Sequence, residues 1–438
     1  MMIRFAMAAL LTAVFAAPLH AAIDIQEVTS PGGIEAWLVE DHSIPFAAIE
    51  IRFQGGGSLD REGKRGAVNL MTGLLEEGAG EMDAQAFAAA RDALAASFGF
   101  DSHLDAVSVS ARFLTENRDE AMALLREALV NPRFDQEAVD RVRGQVLSGL
   151  RSEATDPNTM ASRAFYEMAF GTHPYGSDMR GTLESVAALT RDDVVNAYQD
   201  ALARDRLYVG ATGDITAEEL GVLLDELLGD LPETGAPLPD PAEVSVTGGV
   251  TVIPFETPQS VVFFGDAGIP RDDPDFFAAF VADAILGGSG RQSRLSTEVR
   301  EKRGLTYGVG TALVNFDLSD MLLGQFASAN DRVGQAIGIV RDEWAKIAEE
   351  GVTDAELEEA KTYLTGAYPL RFDGNGTIAR ILVGMQMDGL TPAYVTERND
   401  KVNAVTAEDI RRVAQRLYRP DNLRFVVVGQ PEGVESVN

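Results

Sequence analysis

The chain has 438 residues, 45% of them hydrophobic, which is more than one core normally organises, so two domains are expected. Its formal net charge of −31 repels phosphate backbones and anionic lipid surfaces, which argues against nucleic acid as a partner and is read as solvation. Cysteine is absent, which excludes disulfides, thiolate catalysis and Cys-ligated metal and leaves the core alone to hold the fold.

In chain order, Arg4 is followed by the apolar run FAMAALLTAVFAAP and a small-residue exit at His20-Ala21-Ala22. This pattern predicts a secretory signal over 1–22, too short for the roughly 20 apolar residues of a bilayer span. A mature chain beginning near Ile23, exported to a bacterial periplasm and without stable membrane insertion, is the expectation. Strands are predicted at AAIEIRF (47–53) and VSVSARF (107–113). Next comes a helical stripe of Ala121, Leu124, Leu125, Ala128 and Leu129, with further helices over 135–150 and 183–203 and a strand at LYVGAT (207–212). The stretch PETGAPLPDPAEVS (232–245) interrupts every periodic pattern and reads as an extended linker. Beyond it lie the strand runs SVVFFGD (260–266) and LRFVVVG (423–429).

The chain also repeats itself at about half its length. LTRDDVVNAYQDALARDRLYVGATGD from Leu189 parallels VTAEDIRRVAQRLYRPDNLRFVVVGQ from Val405, and Thr190 to Gly213 spans the same distance as Thr406 to Gly429. Each copy opens on a capping Thr with acidic residues in the first turn and closes on a short strand ending at Gly. MASRAFYEMAFG, ending at Gly171, likewise matches TIARILVGMQMDG, ending at Gly389. These repeats place domains at 23–231 and 246–438, flanking the 232–245 linker. The fold class expected is α+β: two homologous domains by internal duplication, each a mainly antiparallel sheet with helices packed on one face.

One segment concentrates chemistry. In GGSGRQSRLSTEVREKRGLTY (287–307), a helix pattern from Ser293 ends near Gly304, with Arg300 in its last turn and Tyr307 at the start of the next strand. The bend Gly287-Gly288-Ser289-Gly290 lacks the Gly-Lys-Ser/Thr ending of a phosphate loop and reads as a flexible bend. Taken singly, Arg300 could pair with Glu298 or Glu301, and Tyr307 could plug a strand end.

This segment resembles the second-domain signature of the insulinase/pitrilysin-type zinc peptidases (inverzincins), which include the mitochondrial processing peptidase subunits. The resemblance implies that Arg300 and Tyr307 donate hydrogen bonds to a substrate carbonyl across a chamber, and that the glycine bend borders that chamber. The family's zinc motif is His-x-x-Glu-His on a helix that follows a strand and turn like FQGGGSLDREGKRG. Here that helix reads AVNLMTGLLEEGAG, so Asn69, Thr72 and Gly73 stand where the first His, the Glu and the second His belong. The later Glu ligand is replaced by Ser148 or Gly149, and the nearby Glu153 is read as solvent-facing. His42, His103 and His173 have no ligand spacing, and His173 sits in a structural His-Pro-Tyr turn. No metal or cofactor is therefore expected on this chain.

The resemblance thus implies a non-catalytic, substrate-binding subunit of a heterodimeric zinc metallopeptidase acting on peptides or unfolded segments. It would be inert alone, with zinc on a homologous partner carrying His-x-x-Glu-His. The alternative is a structural or assembly pseudo-peptidase with no role in hydrolysis. A peptidase with relocated ligands is opposed by the shortage of His.

Overall fold

The computed structural model describes residues 23–288 and 292–437. The expected export segment 1–22, and Ser289 and Gly290 of the glycine bend, lie outside the described residues. In the first half the strands are β1 (Gln26–Thr29), β2 (Glu35–Glu40), β3 (Phe46–Gln54), the short pair β4 (Gly78–Ala79) and β5 (Met82–Asp83), β6 (Ser97–Ser102), β7 (Ala106–Leu114) and β8 (Leu207–Gly213). The second half adds β9 (Gly249–Pro254), β10 (Gln259–Ala267), β11 (Thr306–Asn315), β12 (Asp320–Ala329) and β13 (Arg424–Gly429).

Two large sheets result, ordered β1-β2-β8-β3-β7-β6 and β9-β13-β10-β12-β11, beside the small β4-β5 sheet. Setting β1 aside, the two orders are the same topology written twice, with β8 matching β13 and β6 matching β11. In each sheet one pair is parallel, β2–β8 and β9–β13, and the other pairs are antiparallel. Even the place of β1 beside β2 has a trace in the second half, where Val437 bridges Val250. The fold is the duplicated, mainly antiparallel α+β arrangement that the repeats indicate.

Alternation along β3 sends Ile49, Ile51 and Phe53 into a core shared with Leu70, Leu74 and Leu75 and with Leu125 and Leu129 of the helix Arg118–Val130. In the second half Phe264 stacks on Phe425 at 5.3 Å and meets Trp344 edge-on at 6.0 Å. Matching helices, Arg191–Ala201 and Ala407–Leu417, start from the same capping box: Thr190 with Asp193 and Thr406 with Asp409. Such a cap satisfies two otherwise orphaned amides. The helix expected over 183–203 is in fact two, Leu183–Ala188 and Arg191–Ala201, because Thr190 turns extended to cap the second.

Each sheet's remaining face is covered by a helix from the opposite half. Helix Pro157–Phe170 lies on β10 and β13, with Phe165 against Phe263 at 5.2 Å. Helix Asn375–Met387 lies on β8, β3 and β2, and Gln386 donates to the Val209 carbonyl at 2.9 Å. A Cβ on Gly210 would come within 2.5 Å of the Ala379 carbonyl oxygen, so only glycine lets that helix approach. Coverage on both faces explains why β13 is buried along its whole length. The 232–245 segment has no regular structure but is tied to both halves: Ser245 donates to Ala169 at 2.9 Å and Ala242 to Leu318 at 2.8 Å.

Candidate functional site

The helix Ala67–Thr72 is only six residues long. Its start is held by buried Asp60, whose carboxylate accepts the amides of Gly66 at 2.7 Å and Val68 at 2.8 Å; burial pushes this carboxyl up to about 6. On the helix, Asn69 donates its amide to the Ser102 hydroxyl at 2.8 Å, and Thr72 donates its hydroxyl to the Val68 carbonyl at 2.8 Å. Gly73 ends the helix with its amide bonded to the Asn69 carbonyl. Both side chains that could contribute oxygen are thus engaged in ordinary structural bonds. Ser148 and Gly149 lie exposed on the helix Gln136–Glu153.

Glu153 departs from expectation. It is half-buried and ion-paired with Arg180, which also holds Asp178 at 2.9 Å, because the turn before the helix Leu183–Ala188 brings that guanidinium over the carboxylate. His42 pairs with Asp214 at 2.7 Å. His173 caps its own turn by accepting the Tyr175 amide at 3.2 Å, and its other ring nitrogen bonds the Asp240 carbonyl at 3.1 Å. Among the described residues no three His, Cys, Asp or Glu cluster in a way that could hold a metal ion. The zinc implied by the motif's position does not fit the residues present, since they offer neither imidazole nor carboxylate there.

The 287–307 segment is built differently. Arg294 anchors it, gripping Glu356 at 2.7 and 2.9 Å and the Gly351 carbonyl at 2.9 Å. From Ser296 to Glu301 the chain forms a π-helical turn, with the Lys302 amide bonded to the Thr297 carbonyl at 3.0 Å, and Gly304 leaves it at φ 60°. Wide turns of this kind are rare and recur at functional sites. Arg300 sits in that turn. The competing partner Glu298 is taken by Lys302 and Arg303, each at 2.6 Å, and among the described residues no carboxylate pairs with Arg300.

Tyr307 lies in a β-bulge. The β11–β12 register shifts between Thr306 and Val309, and the Thr306 hydroxyl accepts the Gly308 amide at 3.2 Å and lies 2.7 Å from the Ala327 carbonyl it can donate to. A bulge re-aims side chains, and here it leaves Tyr307 94% exposed, with no hydrogen bond to its hydroxyl among the described residues. Gly287 and Gly288 hang on the helix Phe276–Leu286 by donating to the Asp283 carbonyl at 2.9 and 2.7 Å. They line a groove of about 730 Å³ along the β11–β12 face, with Phe263 and Leu323 among its walls and Tyr166 reaching in from the first half.

Comparison with known proteins fits this division. A family profile described as "Insulinase (Peptidase family M16)" matches residues 36–183, and one described as "Peptidase M16 inactive domain" matches residues 188–364. The chain belongs to the M16 (insulinase) peptidase family. Among M16 relatives, the "Non-peptidase homolog YmxG" of Helicobacter pylori is 28% identical over 76% of this chain and 77% of its own length. An "Uncharacterized zinc protease" of Streptomyces coelicolor is 27% identical over 90% of this chain and 88% of its own. The "Probable mitochondrial-processing peptidase subunit beta" of Schizosaccharomyces pombe is 26% identical over 73% and 72%. A crystal structure of a peptidase M16 inactive domain from Pseudomonas fluorescens superposes with a TM-score of 0.87 at 26% identity, covering 95% of this chain and 100% of that one. The names "non-peptidase homolog" and "inactive domain", together with the silent helix at Asn69, Thr72 and Gly73, are consistent with a non-catalytic M16 member.

Three residues that shape this segment are not singled out by the sequence. Thr306 stitches the bulge that presents Tyr307. Asp283 and Thr311 join the helix under the glycine bend to β11. The one available signal is a lone Asp inside the apolar helix FFAAFVADAIL.

Proposed function

We propose that this chain is the non-catalytic, substrate-binding subunit of a two-chain zinc metallopeptidase. Its partner is a homologous M16 subunit bearing His-x-x-Glu-His and the zinc, and its substrates are peptides or unfolded segments. One contrast carries the reading: at the zinc position Asn69 and Thr72 each donate a structural hydrogen bond and no imidazole or carboxylate is present, whereas Arg300 and Tyr307 stand on a π-helical turn and a β-bulge without internal partners among the described residues.

In this reading the Arg300 guanidinium and the Tyr307 hydroxyl donate hydrogen bonds to a substrate carbonyl and to the charge that develops on its oxygen. The edge strand β11 presents open backbone groups beside the groove, and an extended peptide can pair there independently of its sequence. The partner supplies the electrophile and the activated water. The leader-like sequence of residues 1–22 supports export of the complex to a periplasm.

The test is reconstitution. The single chain should not hydrolyse peptides, and the co-purified two-chain complex should. Within the complex, Arg300→Ala and Tyr307→Phe should lower turnover while the subunits stay associated. Unchanged turnover would remove the catalytic contribution and leave an assembly role.

A further inference from the structure

A second cavity, sharing no lining residue with the β11 groove, lies between the helix Phe276–Leu286, the turn Pro369–Arg371 and the helices Asn375–Met387 and Tyr394–Ala404. Its volume is about 360 Å³, within the range of small-molecule sites. Four arginines line it, Arg271, Arg371, Arg380 and Arg398, against one carboxylate, Asp388, a local surplus of three positive charges in a chain whose net charge is −31.

Two of the arginines are pre-oriented by aromatic rings. Arg271 lies 4.3 Å above the Phe276 ring and donates to the Tyr394 hydroxyl at 2.7 Å. Arg398 lies 4.4 Å above the Tyr368 ring and 5.3 Å from that of Phe280. Stacking fixes each guanidinium plane; Arg271 also lies 3.8 Å from the Asp388 carboxylate, and the donors that remain on both guanidinium groups can meet a planar or tetrahedral anion.

Arg398 is only 5% exposed, yet among the described residues no carboxylate lies within ion-pair distance; it donates to the Leu364 carbonyl at 2.9 Å and to the Asn399 side-chain oxygen at 3.0 Å. A buried cation without a counter-charge is costly. Beside it the buried Tyr368 hydroxyl has no hydrogen-bond partner among the described residues, a second group left unsatisfied in the same wall. At the rim, Arg371 and Arg380 are exposed and form no ion pair among the described residues.

We propose that this cavity binds a small organic anion, a carboxylate or phosphate head on an apolar or aromatic body. The head meets the arginine edges and the Tyr368 hydroxyl, and the body packs on the Phe276, Phe280 and Tyr394 rings. This site is independent of the peptidase reading and needs no partner subunit.

The test is calorimetric titration and thermal unfolding of the full chain with four probes: phenylacetate, phenyl phosphate, the neutral phenethyl alcohol and inorganic phosphate. One of the two aromatic anions should bind at a single site and raise Tm, and which one does so identifies the head group. The neutral probe and bare phosphate should bind at least tenfold more weakly. Arg371→Ala/Arg380→Ala, which alters only exposed side chains, should keep the fold and weaken the favoured anion at least tenfold; Arg398→Met should abolish binding. Absence of saturable anion binding, equal binding of phenethyl alcohol, or unchanged binding by the folded double variant would overturn the proposal.

Discussion

The Thr311 hydroxyl donates to the Asp283 carboxylate at 2.6 Å, joining the helix beneath the glycine bend to the edge strand β11. Asp283 is buried, and that burial pushes its carboxyl up to about 7, against 3.8 in the unfolded chain. The folded state therefore holds the proton more tightly than the unfolded state does. Its contribution is whole below pH 3.8 and is lost as pH rises through 7. Asp283→Asn, which still accepts from Thr311, removes this loss. Relative to the parent, the variant should gain about 2–3 kcal/mol between pH 5 and pH 8, at about 1.4 kcal/mol per pH unit. Equal pH slopes in denaturant unfolding would refute this.

Tyr307 contributes nothing to packing, so Tyr307→Phe should leave unfolding within about 0.5 kcal/mol of the parent. In the two-chain complex it should lower kcat by roughly tenfold to a hundredfold, as expected for loss of one donor to a developing oxyanion. Thr306→Val acts one step earlier. It removes the hydroxyl that spans the bulge, should cost about 1–2 kcal/mol, and should depress kcat although Thr306 itself touches no substrate. A normal kcat in Thr306→Val would show that the bulge does not position Tyr307.

Gly210→Ala tests the crossing of the helices. The added methyl would press on the Ala379 carbonyl at 2.5 Å and on the Leu382 and Val383 side chains at 3.0 Å. Overpacking of this kind should destabilise by about 1–3 kcal/mol and should loosen the helix Asn375–Met387 in hydrogen exchange before the first-half sheet that it covers.

Metal titration separates this chain from its proposed partner. Zinc at a hundredfold excess over a site's Kd would stabilise a binding chain by about 2.7 kcal/mol. The single chain should show no such shift, and EDTA should leave its Tm unchanged. The same additions should move the melting and activity of the two-chain complex.

The elements that read correctly from sequence are those whose burial is simple. The run LRFVVVG is covered on both faces and so is apolar apart from Arg424, and the Thr-initiated helices at 190 and 406 announce themselves by capping chemistry that depends only on neighbours. Arg300 and Tyr307 are visible as a motif. What escapes is non-local. Nothing in MASRAFYEMAFG says that its aromatic face meets Phe263 of the other half, because apolar periodicity specifies a buried face and not which surface buries it. The π-helical turn and the bulge are equally silent, since they depend on the register against β12 and on one hydroxyl, Thr306. Glu153 reads as solvent-facing because its partner, Arg180, is remote in sequence.

Because each sheet borrows its second cover from the opposite repeat, the duplication has produced two units that resemble each other but cannot live apart. A fragment ending before residue 232 would bare β8 and β3 to water and leave the apolar side of Pro157–Phe170 with nothing to touch. Cutting the chain at its midpoint should therefore yield aggregates, whereas co-expressed halves should re-associate. The two copies act as mutual chaperones and should melt together in a single transition.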